Sequence, residues 1–417
     1  MKIYMVGGAV RDEILKRSVH DRDFVVTDSS EAEMLSLGYK RVGKSFPVFL
    51  HPETGEEYAL ARKENKTGTG HCDFSIIATP DITLEEDAHR RDFTCNALYK
   101  NCATGEIIDY HNGKMDLENR VLRHVSEQFS EDPLRVLRMC RFAAELDFEV
   151  APETMKLCQD MVKSGALTCL SKDRIWQELA KALASKTFYR FIETARECGA
   201  LSVILPEVEQ LFSVPEREDY HPEKNSGAHT VLTLKAAQCD DALVNYAALL
   251  HDIGKTKTDS ACWPSHRGHD KLGVDIIKEI GKRLRVPKAY TDFAAFTALN
   301  HMVYHQKPYN ARYKIANIAV SLAYNKQKDY LEKFITVLKA DMCGRAKSVT
   351  PAEERNFNNF RDCLTQLYNS AKATRYSELP EFAAMIEGIK AGTVSPSYLN
   401  EKYVEWLLNQ KPILAPV

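Results

Sequence analysis

Short apolar runs crowd the first third of the chain and give way to a longer period beyond it. Residues 2–6 (KIYMV), 22–27 (RDFVVT), 46–50 (FPVFL), 57–61 (EYALA) and 106–109 (EIID) are rich in apolar or aromatic residues and bounded by Gly, Pro or acids, which is the signature of strands. A helix is predicted from Ala9 to about Lys16. Residues 61–78 (ARKENKTGTGHCDFSIIA) are polar and glycine-bearing with no clean period, and they read as a mobile loop. From about Ser130 apolar residues recur at three- and four-residue spacing in SEDPLRVLRMCRFAAEL, PETMKLCQDMV, KDRIWQELAKALAS and TFYRFIETARECG, which predicts helices joined by short loops. The charged, proline-bearing stretch SVPEREDYHPEKNSGAH marks a boundary near residue 225, and a His-rich helical block follows to about residue 330. The fold class is therefore α+β: a small N-terminal mixed sheet with helices, then all-α segments.

A chain of 417 residues is too long for one compact core, so two or more domains are expected. A net charge of −2 gives no global basic field, so any nucleic-acid partner must rest on local patches. Eleven scattered cysteines without a CxxC pair favour free thiols in a reducing compartment over disulfides or a zinc ribbon. The opening MKIYMVGGAVRD has too short an apolar run for a secretory signal, and no apolar stretch approaches bilayer length. A cytoplasmic protein with no membrane partner is the expectation.

Candidate chemistry begins at VGGAVRDEILKRSVHDRDFVV. Residues two apart on a strand face the same way, so Asp21 and Asp23 project side by side. Two ionised carboxylates that close repel one another unless a cation lies between them. Mg²⁺ suits such a pair, because it takes one or two carboxylates and keeps its other positions for water and phosphates. Upstream, the Gly7-Gly8 turn lets a bulky anion approach the backbone, the first N–H groups of the next helix favour a phosphate, and Arg11 adds a positive charge.

Either motif alone is a common turn or solvated edge. In this order, on strand–turn–helix–strand, GGAVRD followed by DRDFVV resembles the active-site signature of the nucleotidyltransferase superfamily, and more narrowly bacterial class II tRNA CCA-adding enzymes and the related poly(A) polymerases. EEYALAR, KTGTG, RRDFTCNAL, GEIID, EDPLRVLRMCRFAAEL and KDRIWQE continue that resemblance in order, and YAALLHDIGK resembles the HD-domain phosphohydrolase signature. The resemblance implies a nucleotidyltransferase head and nucleotide-selecting neck over 1–142, a helical RNA-binding body over 143–225, an HD domain over 226–330 and a helical tail over 331–417.

It also assigns roles. Asp21 and Asp23 become catalytic Mg²⁺ ligands, with Glu57 a candidate third carboxylate, and Gly8 and Arg11 become part of the nucleotide site. Arg91, with Asp92, resembles a ribose-sensing element. Asp132 and Arg135 resemble a protein template for the Watson–Crick edge, and Arg138 and Arg141 reach the base and phosphate side. The chemistry is coherent: cytosine and adenine each place an amine donor beside a ring-nitrogen acceptor, matching an acid beside an arginine, whereas uracil and guanine reverse that order. Local reading gives simpler roles too: Asp132 before Pro133 is an N-cap, and arginines at 135, 138 and 141 share a broad helical stripe.

In the His-rich block the resemblance selects His229, His251, Asp252, His269 and His301 as ligands of a transition metal such as Ni²⁺ or Mn²⁺, while His266 and His305 remain equal candidates. The implied reaction is template-independent addition of C-C-A to the 3′ end of the tRNA acceptor arm from CTP and ATP, by a monomer or homodimer that uses no DNA. The HD domain adds phosphatase, 2′,3′-cyclic phosphodiesterase or 2′-nucleotidase activity. A poly(A) polymerase and an HD hydrolase with a degenerate transferase head are the alternatives. Lys172, Arg174 and Lys181 are candidate RNA contacts, and the loop Thr67–Gly70 is a candidate for the switch from CTP to ATP.

Overall fold

The computed structural model describes residues 1–19, 21–42, 48–66, 74–219, 221–305, 311–325 and 329–410. They form two compact units, one of residues 1–182 with 190–204 and one of residues 183–189 with 205–417.

The first unit is built on strands β1 Lys2–Val6, β2 Asp23–Thr27, β3 Lys40–Val42, β4 Val48–Leu50 and β5 Glu57–Leu60, with helices α1 Gly8–Ile14 and α2 Glu31–Ser36 between them. A hairpin of β6 Lys63–Lys66 and β7 Phe74–Ile77 follows, then helix α3 Leu84–His89 and strands β8 Leu98–Asn101 and β9 Ile107–Asp109. The main sheet runs β3-β4-β5-β2-β1-β8-β9. Only β2 and β5 pair in parallel there, in the register Asp23↔Glu57 to Val26↔Leu60. Period-two alternation supplies a core to each face. Tyr4, Val6, Val25 and Tyr99 pack on one side, and Val26, Met34, Phe49 and Leu60 on the other.

Two expectations are corrected here. The stretch read as a loop contains the β6/β7 pair, because Lys63–Lys66 forms a strand without any apolar alternation to announce it. The Thr67–Gly70 segment lies outside the described residues. The second correction is at DRD: β2 begins at Asp23, and Asp21 lies in the approach to the strand.

Helix α4 Gly113–Glu118 precedes the change of period, and helices then take over as that change predicts: α5 Leu134–Leu146, α6 Pro152–Lys163, α7 Lys172–Leu183, α8 Tyr189–Glu197 and α9 Leu201–Ile204. One small exception is a parallel pairing of β10 Val121–Leu122 with β11 Glu149–Val150. The second unit is helical: α10 Pro206–Leu211, α11 Ser226–Ala237, α12 Ala242–Leu250, α13 His269–Leu284, α14 Lys288–Asn300, α15 Arg312–Ala323, α16 Tyr330–Cys343, α17 Pro351–Ala373, α18 Ala383–Lys390 and α19 Pro396–Gln410. Among the described residues no helix is long and apolar enough to cross a membrane.

Candidate active site and metal centre

β1 delivers the chain into a turn at Gly7, whose φ of 71° is a left-handed conformation that glycine adopts without strain. A Cβ there would stand 3.8 Å from Nη1 of Arg91, so the missing side chain keeps that space open. Gly8 opens α1, and a Cβ on it would lie 3.5 Å from Nη2 of Arg11. Arg11 is buried and committed: it donates to both oxygens of Asp12 at 2.9 Å and to Asn96 at 2.8 Å. It therefore shapes the turn from beneath.

Antiparallel pairing sets Asp23 opposite Val6, and parallel pairing sets Glu57 alongside Asp23. Aligned residues on paired strands emerge from the same face. Asp21, Asp23 and Glu57 line one cleft of about 750 Å³. Burial pushes the Asp23 carboxyl above its ordinary range, the Arg91 guanidinium pulls it back, and the neighbouring Asp21 charge pushes it up again. Such a carboxylate set, repelling itself, fits a hard divalent cation.

The three arginines of α5 do not stay on one exposed stripe. Steps of three residues rotate by about 60° around the axis, and the sequence of environments follows that drift. Arg135 donates to the carbonyls of Gln128 (2.9 Å) and Arg90 (2.6 Å). Arg138 pairs with Asp92, its Nε donating at 2.8 Å. Arg141 is buried against the Phe142 ring and donates to Glu178 (2.6 Å) and Glu145 (2.7 Å). Burial opposes ionisation of Asp92, yet Arg138 outweighs it and holds the carboxyl down at about 2. Asp132 accepts the Leu134 N–H at 3.0 Å, the hydrogen bond of an N-cap, and accepts from Arg174 at 2.9 and 3.2 Å. Arg174, expected among the RNA contacts, is thus turned toward the neck, whereas Lys172 and Lys181 are exposed on α7.

In the second unit His251 follows the end of α12, His269 begins α13 and His301 follows the end of α14. Each ring uses Nδ1 to reach a carbonyl three residues back, Ala248 (2.8 Å), His266 (2.8 Å) and Ala298 (2.7 Å). A carbonyl only accepts, so in each ring Nδ1 carries a proton and Nε2 is the nitrogen turned to the cluster. Those Nε2 atoms converge. Nε2 of His269 and His301 are 3.2 Å apart, and each lies 3.3 Å from Oδ1 of Asp252. Nε2 of His251 lies 3.3 Å from Oδ2 of the same carboxylate. Neither Nε2 of His251 nor Oδ1 of Asp252 makes a hydrogen bond. Two buried polar atoms without a partner are costly, and a metal ion between them would satisfy both. The imidazole and carboxylate donors suit a transition metal.

His229 on α11 completes the cluster, Nε2 lying 3.0 Å from Asp341 and Nδ1 facing Glu223 (3.1 Å) and the Gly344 carbonyl (3.0 Å). Lys255 bridges Asp252 (2.8 Å) and Glu216 (2.6 Å). The two remaining histidine candidates sit apart in function. His266 spends its nitrogens on Thr258 (2.9 Å) and the Pro215 carbonyl (2.8 Å), while the His305 ring packs at a tilt on Tyr304.

Comparison with known proteins follows this geometry. Three family models match in order: the poly A polymerase head domain over residues 3–123, the probable RNA and SrmB-binding site of polymerase A over 147–212, and the HD domain over 221–338. The multifunctional CCA protein of Neisseria meningitidis serogroup B is 48% identical over 358 residues, covering 85% of this chain and 86% of that protein. The chain belongs to the multifunctional CCA protein family. It is an enzyme, a nucleotidyltransferase carrying an HD domain. The fold is that of the Bacillus stearothermophilus CCA-adding enzyme solved with CTP (TM-score 0.60, 21% identity, 98% of this chain and 93% of that one). It is also that of the Thermotoga maritima CCA-adding enzyme solved with tRNA (TM-score 0.58, 19% identity, 100% and 88%).

Several residues of this CCA-family chain escaped sequence reasoning. Asp341 stands on the apolar face of α16 between buried Ala340 and Met342, and a lone acid in such a run was the available signal. Glu178, four residues after Arg174, looks like half of a surface pair but is buried on Arg141. Asp87, Glu223 and Glu216 gave no local sign of the partners they hold.

Proposed function

We propose that this protein restores the 3′-terminal C-C-A of tRNA from CTP and ATP without a nucleic-acid template, in the cytoplasm, releasing pyrophosphate. The tRNA 3′-hydroxyl oxygen bonds to the α-phosphorus as the bond from that phosphorus to the pyrophosphate oxygen breaks. The observation that carries the reading is the register that sets Asp23 beside Glu57, in one cleft with Asp21 and next to the Gly7 turn.

Asp21 and Asp23, with Glu57 as a third carboxylate, are the residues that would hold Mg²⁺. Bound there, Mg²⁺ supplies charge neutralisation at the phosphates and lowers the pKa of the attacking hydroxyl. Gly8, Arg11 and Arg91 form the phosphate and ribose side. Asp132 accepts from the exocyclic amine of cytosine or adenine and Arg135 donates to the ring nitrogen, exchanging their present contacts with Arg174 and backbone carbonyls for the base. A uracil or guanine leaves those groups unpaired, at a cost of about 1–3 kcal/mol each. Arg138 and Arg141 act mainly through Asp92 and Glu178, fixing the neck.

The test is incorporation of labelled CTP, then ATP, into tRNA ending at the discriminator base, with an Asp21→Ala/Asp23→Ala control. Two cytidines and one adenosine, lost in the control, support the reading. A long adenosine tail without CTP use moves the assignment to a poly(A) polymerase.

A second activity is favoured by the Nε2 atoms converging on Asp252. His229, His251, Asp252, His269 and His301, joined by Asp341, are the residues that would hold Ni²⁺ or Mn²⁺. Such an ion supplies Lewis acidity toward a phosphoester. Terminal phosphates, 2′,3′-cyclic phosphates and 2′-nucleotides are the substrates proposed. No hydrolysis of any of these with either metal would eliminate this activity.

A further inference from the structure

Asp87, in the first turns of α3, is fully buried and carries more donors than any packing role needs. Its Oδ1 accepts from the Arg62 N–H (3.3 Å) and from Nε (3.0 Å) and Nη2 (2.6 Å) of Arg90. Its Oδ2 accepts from Nε (3.2 Å) and Nη2 (3.0 Å) of Arg91 and from the Tyr99 hydroxyl (2.7 Å). The Tyr99 oxygen accepts in turn from Nε of Arg91 at 2.9 Å, and the Arg91 guanidinium lies 5.1 Å over the Tyr99 ring.

The consequences run in two directions. With Nε and Nη2 of Arg91 fixed, its Nη1 is the edge aimed at the Gly7 turn, within the field of Asp23. On the other side, the Arg90 carbonyl accepts from Nη2 of Arg135. One carboxylate thereby fixes both the arginine beside the phosphate turn and the backbone under the base-reading arginine. An apolar residue would fill the volume more cheaply than a buried ion group, so packing alone does not account for it.

We propose that Asp87, with Tyr99, is a positioning residue for nucleotide selection, holding Arg91 in the orientation that reads the ribose and the phosphates of the incoming nucleotide. This rests on the role given to Arg91 above. The experiment compares Asp87→Asn, the nearly isosteric Tyr99→Phe and a direct Arg91→Lys variant of the full chain. Each is assayed for KM and kcat with CTP and dCTP on tRNA lacking C-C-A. Asp87→Asn and Tyr99→Phe raise KM for CTP about tenfold, leave kcat within about threefold, and lower CTP-over-dCTP preference about tenfold, as expected for loss of nucleotide-reading contacts. A merely structural residue lowers the melting temperature without moving that preference. If Asp87→Asn does not fold, Tyr99→Phe decides. Both variants keeping the wild-type KM and preference while Arg91→Lys loses them overturns the positioning role. Arg91→Lys keeping the preference overturns the reading of Arg91 itself, and the inference falls with it.

Discussion

Arg138→Met removes one charge from the neck while keeping most of the side-chain volume, and its effect can be worked from the structure. Asp92 is buried and its carboxyl is held at about 2, against an ordinary 3.8. A difference of almost two units at 1.36 kcal/mol each contributes on the order of 2 kcal/mol of stability at neutral pH. Removing one partner of a fully buried pair costs about 3–5 kcal/mol. The Arg138 side chain is 32% exposed, and Asp92 keeps the Phe93 N–H at 2.8 Å, so the lower end applies and about 2–3 kcal/mol is expected. The pH dependence has a definite sign. In the wild type the depressed carboxyl contributes stability that is present above its ordinary value and lost as pH falls toward about 2. In the variant burial is unopposed by Arg138, so ionised Asp92 costs stability at neutral pH and protonation relieves that cost. The gap between the two proteins is therefore largest at neutral pH and shrinks below about pH 4. Urea unfolding followed by Trp176 fluorescence measures it, in a Trp263→Phe/Trp406→Phe background, because Trp176 then reports the first unit alone. A gap below about 1 kcal/mol at pH 7, or one that does not change down to about pH 3, refutes the argument.

Gly7→Ala places a side chain at φ 71°, at a cost of about 1–2 kcal/mol, and directs a methyl toward Nη1 of Arg91. The expected result is a modest fall in melting temperature and a larger fall in kcat/KM for CTP; a fall in stability alone is the contrary result. Asp341→Asn keeps the shape of the HD pocket but removes the carboxylate 3.0 Å from His229. Calorimetric titration with Ni²⁺ should show affinity at least about tenfold weaker, with CTP incorporation unaltered. Arg174→Met frees both oxygens of Asp132 from Nη2 of Arg174 while leaving the Leu134 cap. If Asp132 reads the base as proposed, misincorporation of UTP relative to CTP should rise, and an unchanged ratio would show that Arg174 does not orient Asp132 for that role.

The parts of this fold legible in the sequence are those specified by short-range pattern. The short apolar and aromatic runs in KIYMV and RDFVVT give β1 and β2, the change of period near residue 130 gives the helices, and Pro133 after Asp132 gives a cap. What pattern does not carry is adjacency. Glu57 becomes a neighbour of Asp23 because β5 enters the sheet parallel to β2, a nonlocal choice that no residue near either acid announces. The β6/β7 hairpin escaped for the opposite reason, since Lys63–Lys66 pairs through its backbone and offers no hydrophobic rhythm.

Charge matching separates the two sites more sharply than motif reading does. In the first unit arginines and acids are largely committed to one another: Arg11 with Asp12, Arg138 with Asp92, Arg141 with Glu178, and Arg90 and Arg91 with Asp87. In the reading proposed above, selectivity would lie in which guanidinium edges those acids leave pointing at the cleft. In the second unit the imidazoles are fixed by backbone carbonyls and turn Nε2 toward each other and toward Asp252, whose Oδ1 protein atoms leave without a hydrogen bond. Sequence shows arginine, aspartate and histidine in both regions and cannot separate a satisfied acid from an unsatisfied one. The distinction arises only when helices distant along the chain bring Asp87 under Arg91, or His269 against His301.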